Sequence, residues 1–283
     1  MGLILAATPL GNPGDASDRL KAAIETTQIV AAEDSRKFHR LCADINVEYK
    51  GRVISFFEGN EQERTPELLT MLREGVNVLV VSDAGMPTIS DPGFRLMRDA
   101  IAEGIAVSVI PGPSAVTMAL ALSGLPTDRF MFEGFSPRAV GARQKFFDGL
   151  RFQERTIIWF EAPHRLVESL ADAVTIFGKH RRAAICREMT KTYEETIRGT
   201  LAELLLWSQS NEVRGEITMV MAGAPKDLKD ISASAIVDRV REYEGAGMDR
   251  KSAIATVADE FSVAKRVVFA AVVDAKSASK IVK

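Results

Sequence analysis

The run Val76–Val81 constrains the fold of this chain more than any other feature. It is short, almost unbroken in β-branched residues, and bounded by Gly75 on one side and Ser82-Asp83-Ala84-Gly85 on the other. A strand with no polar alternation must hide both of its faces, which is the situation of a strand inside a parallel sheet covered by helices. Leu3–Ala7, Ile29–Ala32 and Ala106–Ile110 are further apolar runs, and each is expected to be a strand, the last one buried. Helical patterns lie between and after them: through Leu20, Ala23, Ile24 and Thr27, over Pro66–Glu74, over Phe94–Glu103, and over Ala115–Ser123. This alternation predicts an α/β fold with a mostly parallel sheet. Ligands bind such sheets beyond the carboxyl ends of the strands. The loops after Ala7, Ala32, Val81 and Ile110 are therefore expected on one rim.

Gly124-Leu125-Pro126-Thr127-Asp128 reads as a hinge. Strand-like runs return at Thr156–Phe160, Ala183–Cys186 and Ile217–Ala222, with helical patterns at Arg165–Phe177 and Leu201–Gln209. After Pro225 the pattern becomes helical, over Ser234–Glu244, Arg250–Phe261 and Ala264–Lys276. Gly245 and Gly247 separate the first two of these helices, and Ser262 stands where an N-cap would open the third. The expected organisation is an N-terminal α/β domain over residues 1–126, a second α/β domain over 127–225, and a helical extension over 226–283.

Composition narrows the function classes. A chain of 283 residues that is 46% hydrophobic and 26% charged is globular and long enough for two domains. Its net charge of −2 exerts no general attraction on nucleic acid, so any such contact must be a local patch. The segment after Pro225 has 11 Lys and Arg against 9 Asp and Glu, while the rest has 25 against 29. That asymmetry permits a nucleic-acid contact in the tail. Cys42 and Cys186 lie far apart, and His39, His164 and His180 share no ligand spacing. Reduced thiols and no metal site are expected. No apolar run approaches the ~20 residues that span a bilayer, and Met1–Ala7 reads as a strand, not a leader. The expected location is cytoplasmic, with no membrane partner.

The turn Thr8-Pro9-Leu10-Gly11-Asn12-Pro13-Gly14-Asp15 joins a strand to a helix with two glycines and two prolines. Glycine admits a ligand close to the backbone, and a helix start offers free N–H groups. The turn matches neither the G-x-G-x-x-G fingerprint nor the phosphate loop of nucleotide hydrolases. Ser82–Gly93 is long for a strand-to-helix loop and holds two Asp, two Pro and two Gly. Small residues there can turn N–H and C=O groups toward a ligand carrying both charges, although Asp91-Pro92-Gly93 also suits a plain turn. Ile110–Ala115 repeats the theme, with Ser114 as a ligand contact or an N-cap. Glu33–Lys37, Phe160–Arg165 and Glu188–Glu195 supply carboxylates and cations at strand ends. Each is either a functional group or a solvated end, and Arg165 either binds phosphate or covers apolar surface with its stem.

Taken in order, Thr8–Asn12, Ala32–Arg36, Ser82–Pro87, Ser90–Gly93, Pro111–Pro113, Glu133–Phe135, His164–Leu166 and Arg187–Lys191 resemble the motifs of a bacterial ribosomal RNA methyltransferase family within the tetrapyrrole-methylase superfamily. The likeness spans roughly residues 3–225, and the helical tail also looks like that family's C-terminal extension. Met86 stands where the family usually has Thr, and Pro13 where Leu is common. The resemblance implies a class III methyltransferase fold with two α/β domains and S-adenosylmethionine between them. It implies a homodimer that methylates the ribose 2′-oxygen of a cytidine in the decoding centre of 16S rRNA, within the 30S subunit, with no DNA partner. By the same analogy Leu10, Asp83, Ala84, Gly85, Thr88, Ile89, Ser114, Ala115, Phe160, Glu161 and Met189 would contact the cofactor.

The expected chemistry is in-line transfer of a methyl group from sulfur to oxygen, which needs no metal. Glu33, Asp34, Glu161, Glu188 and Lys191 are the candidate catalytic bases, and the sequence does not choose among them. Arg36, Lys37 and Arg165 are candidates for substrate phosphate or ribose. Arg250–Lys276 is expected to form a helix-turn-helix-like unit that helps grip RNA, or else a dimer contact or cap. Two other functions compete: a tetrapyrrole methyltransferase with the same cofactor, and a non-catalytic RNA-binding module.

Overall fold

A computed structural model of the chain describes residues 2–225, 233–261, 263 and 265–281. The chain divides into two compact units, Met1–Met118 with Glu188–Glu194, and Ala119–Arg187 with Glu195–Lys283.

The first unit is built on strands β1 (Leu3–Ala6), β2 (Ile29–Ala32), β3 (Arg52–Ser55), β4 (Val78–Val81) and β5 (Val107–Ile110). They pair in the order β3-β2-β4-β1-β5, and every pairing is parallel. Central β4 is buried along its whole length. Val78 and Val80 face helices α3 (Glu61–Arg73) and α4 (Phe94–Ala102), meeting Leu68, Leu72, Leu96 and Ala100. Leu79 and Val81 face α1 (Asp18–Thr26) and α2 (Ser35–Asp44), meeting Leu20, Ile24, Phe38 and Cys42. Each fully buried Val or Leu is worth about 1.5–3 kcal/mol against exposure, so this strand fastens both helix layers.

β5 differs from expectation. It is one of the two edge strands, with Ser108 and Val109 exposed, because only β1 pairs with it. An apolar run looks the same at an edge as at the centre. α3 also starts earlier than Pro66 suggests. Asn60 and Phe57 begin the helix, through Arg64 N–H to Asn60 O and Glu61 N–H to Phe57 O, and Pro66 lies inside it.

The second unit holds β6 (Phe130–Phe135), β7 (Thr156–Glu161), β8 (Arg182–Arg187), β9 (Glu195–Thr200) and β10 (Ile217–Met221), in the order β6-β7-β10-β8-β9. Only β6 and β7 run parallel; the other pairings are antiparallel. Helices α6 (Val140–Leu150), α7 (Leu166–Phe177) and α8 (Leu201–Ser210) cover it with a core of Phe147, Trp159, Phe177, Leu170, Leu204 and Met219. Helix α5 (Ala115–Ser123) precedes β6. A capping box between Thr200 and Glu203 starts α8.

Among the described residues three helices follow: α9 (Ala233–Gly245), α10 (Arg250–Glu260) and α11 (Lys265–Ile281). Their shared core includes Ile236, Val240, Ile254, Val257, Val268 and Val272. Asp249 caps α10 by accepting from the N–H groups of Lys251 and Ser252. The N-cap expected at Ser262 lies outside the described residues.

Candidate active site at the carboxyl edge of the parallel sheet

Neighbouring strands β1 and β4 send their chains to opposite faces of the sheet. α1, after β1, lies in the layer with α2, whereas α4, after β4, lies in the layer with α3. The crevice outside such a reversal is where open parallel sheets hold ligands. Two loops border it, Thr8–Asp15 and Ser82–Gly93. Thr8 N–H donates to Gly85 O at 2.9 Å and Gly85 N–H to Thr8 O at 3.1 Å, so the loops are stitched together. The buried Thr8 hydroxyl donates to Ser82 O at 3.2 Å. Gly85 has a φ of +79°, and an added Cβ would stand 3.2 Å from Leu10 Cδ2. Leu10, Gly85 and Pro113 thus converge, bringing three of the glycine-bearing turns to one place.

The backbone of these loops is strained. Thr88 and Ser90 adopt φ of 77° and 64°, and Glu188 and Thr190 adopt 49° and 66°. A non-glycine residue in this region persists only where its surroundings hold it. Glu61, a residue the sequence motifs do not mark, supplies part of that hold. Its buried carboxylate accepts from Gly93 N–H and Arg95 N–H, both at 3.0 Å, at the start of α4. Thr88 N–H closes the loop on Pro92 O at 3.2 Å.

Charged groups cluster beside β2 and β4. Asp83 N–H donates to Glu33 Oε2 at 3.1 Å, and Asp34 N–H to Asp83 Oδ1 at 3.1 Å. Lys37 Nζ lies 2.7 Å from Asp83 Oδ2. Burial raises the pKa of Glu33, opposed by its hydrogen bond from Asp83 N–H. Asp34 goes the other way, down to about 2, chiefly through its hydrogen bond with the Arg36 guanidinium. Asp34 also accepts from Arg36 N–H at 2.8 Å and so caps α2, a helix that the charged run Glu33–Lys37 does not announce. Arg36 and Lys37 are both exposed there.

The segment Glu188–Glu194 belongs to the first unit. Asn12 N–H donates to Thr190 Oγ1 at 3.2 Å. The stem of Lys191 lies across Gly11, where an added Cβ would meet Lys191 Cγ at 2.3 Å. Lys191 Nζ pairs with Glu188 Oε1 at 2.9 Å, and Met189 is buried between them in sequence. Ser114 O accepts from Met118 N–H and Thr117 Oγ1, while Ala115 opens α5 and Ile89 is exposed.

Glu161, Phe160 and Arg165 lie in the second unit. Buried Glu161 accepts from Ser136 Oγ at 2.5 Å and from Ala162 N–H at 2.9 Å. Arg165 stands 3.3 Å from it and donates to Ser136 O at 3.1 Å, so its guanidinium faces inward on protein partners. Phe160 sits edge-on between Phe132 and Phe135. Among the described residues no group of three or more His, Cys, Asp and Glu side chains is placed to hold a metal ion. Among them too, no helix is long and apolar enough to cross a membrane.

The model of the Tetrapyrrole (Corrin/Porphyrin) Methylases matches residues 2–205. Over 256 residues the chain is 48% identical to the ribosomal RNA small subunit methyltransferase I of Mycobacterium bovis, covering 90% of this chain and 88% of that one. This chain belongs to the tetrapyrrole methylase family and, within it, to the ribosomal RNA small subunit methyltransferase I group. A second member of that group, from Pseudomonas aeruginosa, is 42% identical over 94% of this chain and 95% of its own. In fold, the chain resembles the uroporphyrin-III C-methyl transferase of Thermus thermophilus complexed with S-adenyl homocysteine. There the TM-score is 0.52 and the identity 15%, over 78% of this chain and 96% of that one. Such a likeness identifies the class III architecture and nothing finer.

Proposed function

We propose that this chain is an S-adenosylmethionine-dependent methyltransferase of small-subunit ribosomal RNA, acting on the ribose 2′-oxygen of a cytidine in the decoding centre of 16S rRNA. The observation that carries the reading is the pair of glycine turns bridged from Thr8 to Gly85 at the β1/β4 reversal, in a chain close in sequence to proteins named for that activity. Tetrapyrrole methylation is the rival within the same fold. The likeness to enzymes of that kind is weak in sequence, whereas likeness to the rRNA group runs into the tail.

The residues fit the cofactor. At Gly85 a side chain would fill the space beside Leu10, and its φ of +79° favours glycine. When bound, S-adenosylmethionine supplies a methyl group already activated on a sulfonium. In the first unit Leu10, Asp83, Ala84, Gly85, Thr88, Ile89, Ser114, Ala115 and Met189 are the residues proposed to hold it. Phe160 and Glu161 are the second unit's candidates.

Glu33 is the base we favour for the ribose hydroxyl. Its burial-raised pKa brings it nearer the working pH, where a general base is most effective. The rival bases have other commitments: Asp34 to Arg36, Glu188 and Lys191 to each other, and Glu161 to Ser136 and Arg165. Exposed Arg36 and Lys37 beside Glu33 suit contacts to phosphate, which position the strand without reading its sequence. Arg165, turned inward, orients Glu161 in this account. The 30S subunit as substrate particle, a homodimer and a cytoplasmic location complete the proposal.

Incubating the protein with methyl-labelled S-adenosylmethionine and either 30S subunits or a uroporphyrinogen tests it. Label in the 16S rRNA alone is expected. Label in the tetrapyrrole alone would overturn the reading in favour of the rival, and label in neither would leave a binding module.

A further inference from the structure

A cavity of about 850 Å³ lies in the second unit, between the ends of α6 and α7 and the tail helices α10 and α11. None of its described lining residues is among those proposed for catalysis or cofactor binding. Arg151, Lys145, Lys179, Lys265 and Arg266 line it, with Asp148 as the one carboxylate among the described lining residues. The two helix C-termini there contribute about half a negative charge each. Lys179 has a partner of its own, and the other four cations still outweigh the negative groups of the described residues, a balance that favours an anion.

Arg151 supplies the second observation. Its side chain is 5% exposed, and its nearest carboxylate oxygen, on Asp148, is 3.8 Å away. Its Nε and Nη2 are buried without a hydrogen-bond partner. Asp148 is itself shared with Arg266 at 2.7 Å. Burial lowers the Arg151 pKa. A buried guanidinium with two unmet donors costs stability unless something accepts from them, and the fork of Arg matches a phosphate.

We propose that this cavity is a phosphate-binding groove for the backbone of a single RNA strand, with Arg151 as the buried phosphate ligand and Lys145 and Lys265 on its rim. It rests on the rRNA reading for the identity of the strand. A volume in this range accommodates a nucleotide-sized ligand or larger. Phosphate contacts of this kind hold the strand without reading bases.

The test uses fluorescently labelled decauridylate, a strand with no target sequence, and the full chain. Lys145 and Lys265 are exposed, so the double variant Lys145→Glu/Lys265→Glu leaves the core intact. It is expected to bind decauridylate at least about tenfold more weakly. Its salt dependence should flatten by about 1.4 in log–log slope, the value for two lost single-strand phosphate contacts. Affinity for S-adenosylmethionine should not change. Arg151→Gln should show the same loss, with a thermal melt confirming that it folds. Unchanged affinity and slope in the double variant would overturn the proposal. So would wild-type protein that binds inorganic phosphate at the groove and no decauridylate, which would make the site one for free anion. Methyl transfer to 30S subunits, measured alongside, separates the two claims: its absence would sink the proposed function while the decauridylate result still decides the groove.

Discussion

Thr8 and Gly85 exchange both of their backbone hydrogen bonds, at 2.9 and 3.1 Å, across the carboxyl ends of two neighbouring parallel strands. The bridge is antiparallel and isolated, and it fixes the distance between the turns that follow β1 and β4. Gly85 is required at its centre. Gly85→Ala should cost roughly 1–2 kcal/mol for an L-residue at positive φ, lowering Tm by a few degrees. Its added methyl presses on Leu10 at 3.2 Å. Calorimetric titration should find S-adenosylmethionine affinity reduced at least about tenfold. Affinity equal to wild type would remove Gly85 and Leu10 from the cofactor site.

Glu33→Gln should separate catalysis from stability. Turnover should fall by about 10²–10⁴-fold, the span for loss of a positioned base, with cofactor affinity retained. Because the folded-state pKa of Glu33 is raised, its charged form is penalised in the fold. That penalty is absent below the unfolded pKa and grows as pH rises through the folded one. The variant should therefore melt at or above the wild-type temperature at neutral pH and match it in acid. The acid limb of the wild-type kcat/KM profile should lie above that of a freely solvated glutamate. Full turnover in the variant would exclude Glu33 as the base.

Glu61→Ala should loosen the long loop at a distance from the chemistry. Gly93 N–H and Arg95 N–H would lose a charged acceptor, worth about 1.5–3 kcal/mol. Amide hydrogen exchange should accelerate at both residues, with a raised KM for S-adenosylmethionine. Unaltered protection at Gly93 would show that the loop is held by other means.

Arg143 anchors α6 to α7 in the second unit. Its side chain is 1% exposed and meets Asp172 at 2.7 Å and Glu168 at 3.6 Å. Arg143→Ala should destabilise by about 3–5 kcal/mol, because a buried pair is broken and Asp172 loses its cation. Adding Asp172→Asn should recover part of that loss. A double variant whose cost equals the sum of the singles would show that the pair is not coupled.

The parts of the fold carried by local pattern were legible in the sequence. Val78–Val81 announces a central buried strand, and the glycine and proline turns mark where strands end on the rim. The edge position of β5 was not legible, because burial of Val107–Ile110 depends on a neighbour that is missing from one side. Nor was the start of α3, since Pro66 imitates a first-turn proline inside a helix begun at Glu61. In the site, the loop motifs were visible, but their couplings were not. Glu61 reaches Gly93 across 32 positions, and Glu33 reaches Asp83 across 50. No spacing rule links residues whose meeting depends on strand order.

The most direct test of the central claim is ribose 2′-O-methylation mapped along the 16S rRNA of 30S subunits incubated with this protein and S-adenosylmethionine. One new 2′-O-methyl group is expected, on a cytidine of the decoding centre, absent with Glu33→Gln. A methyl group on a base, or no change anywhere in the 16S rRNA, would contradict it.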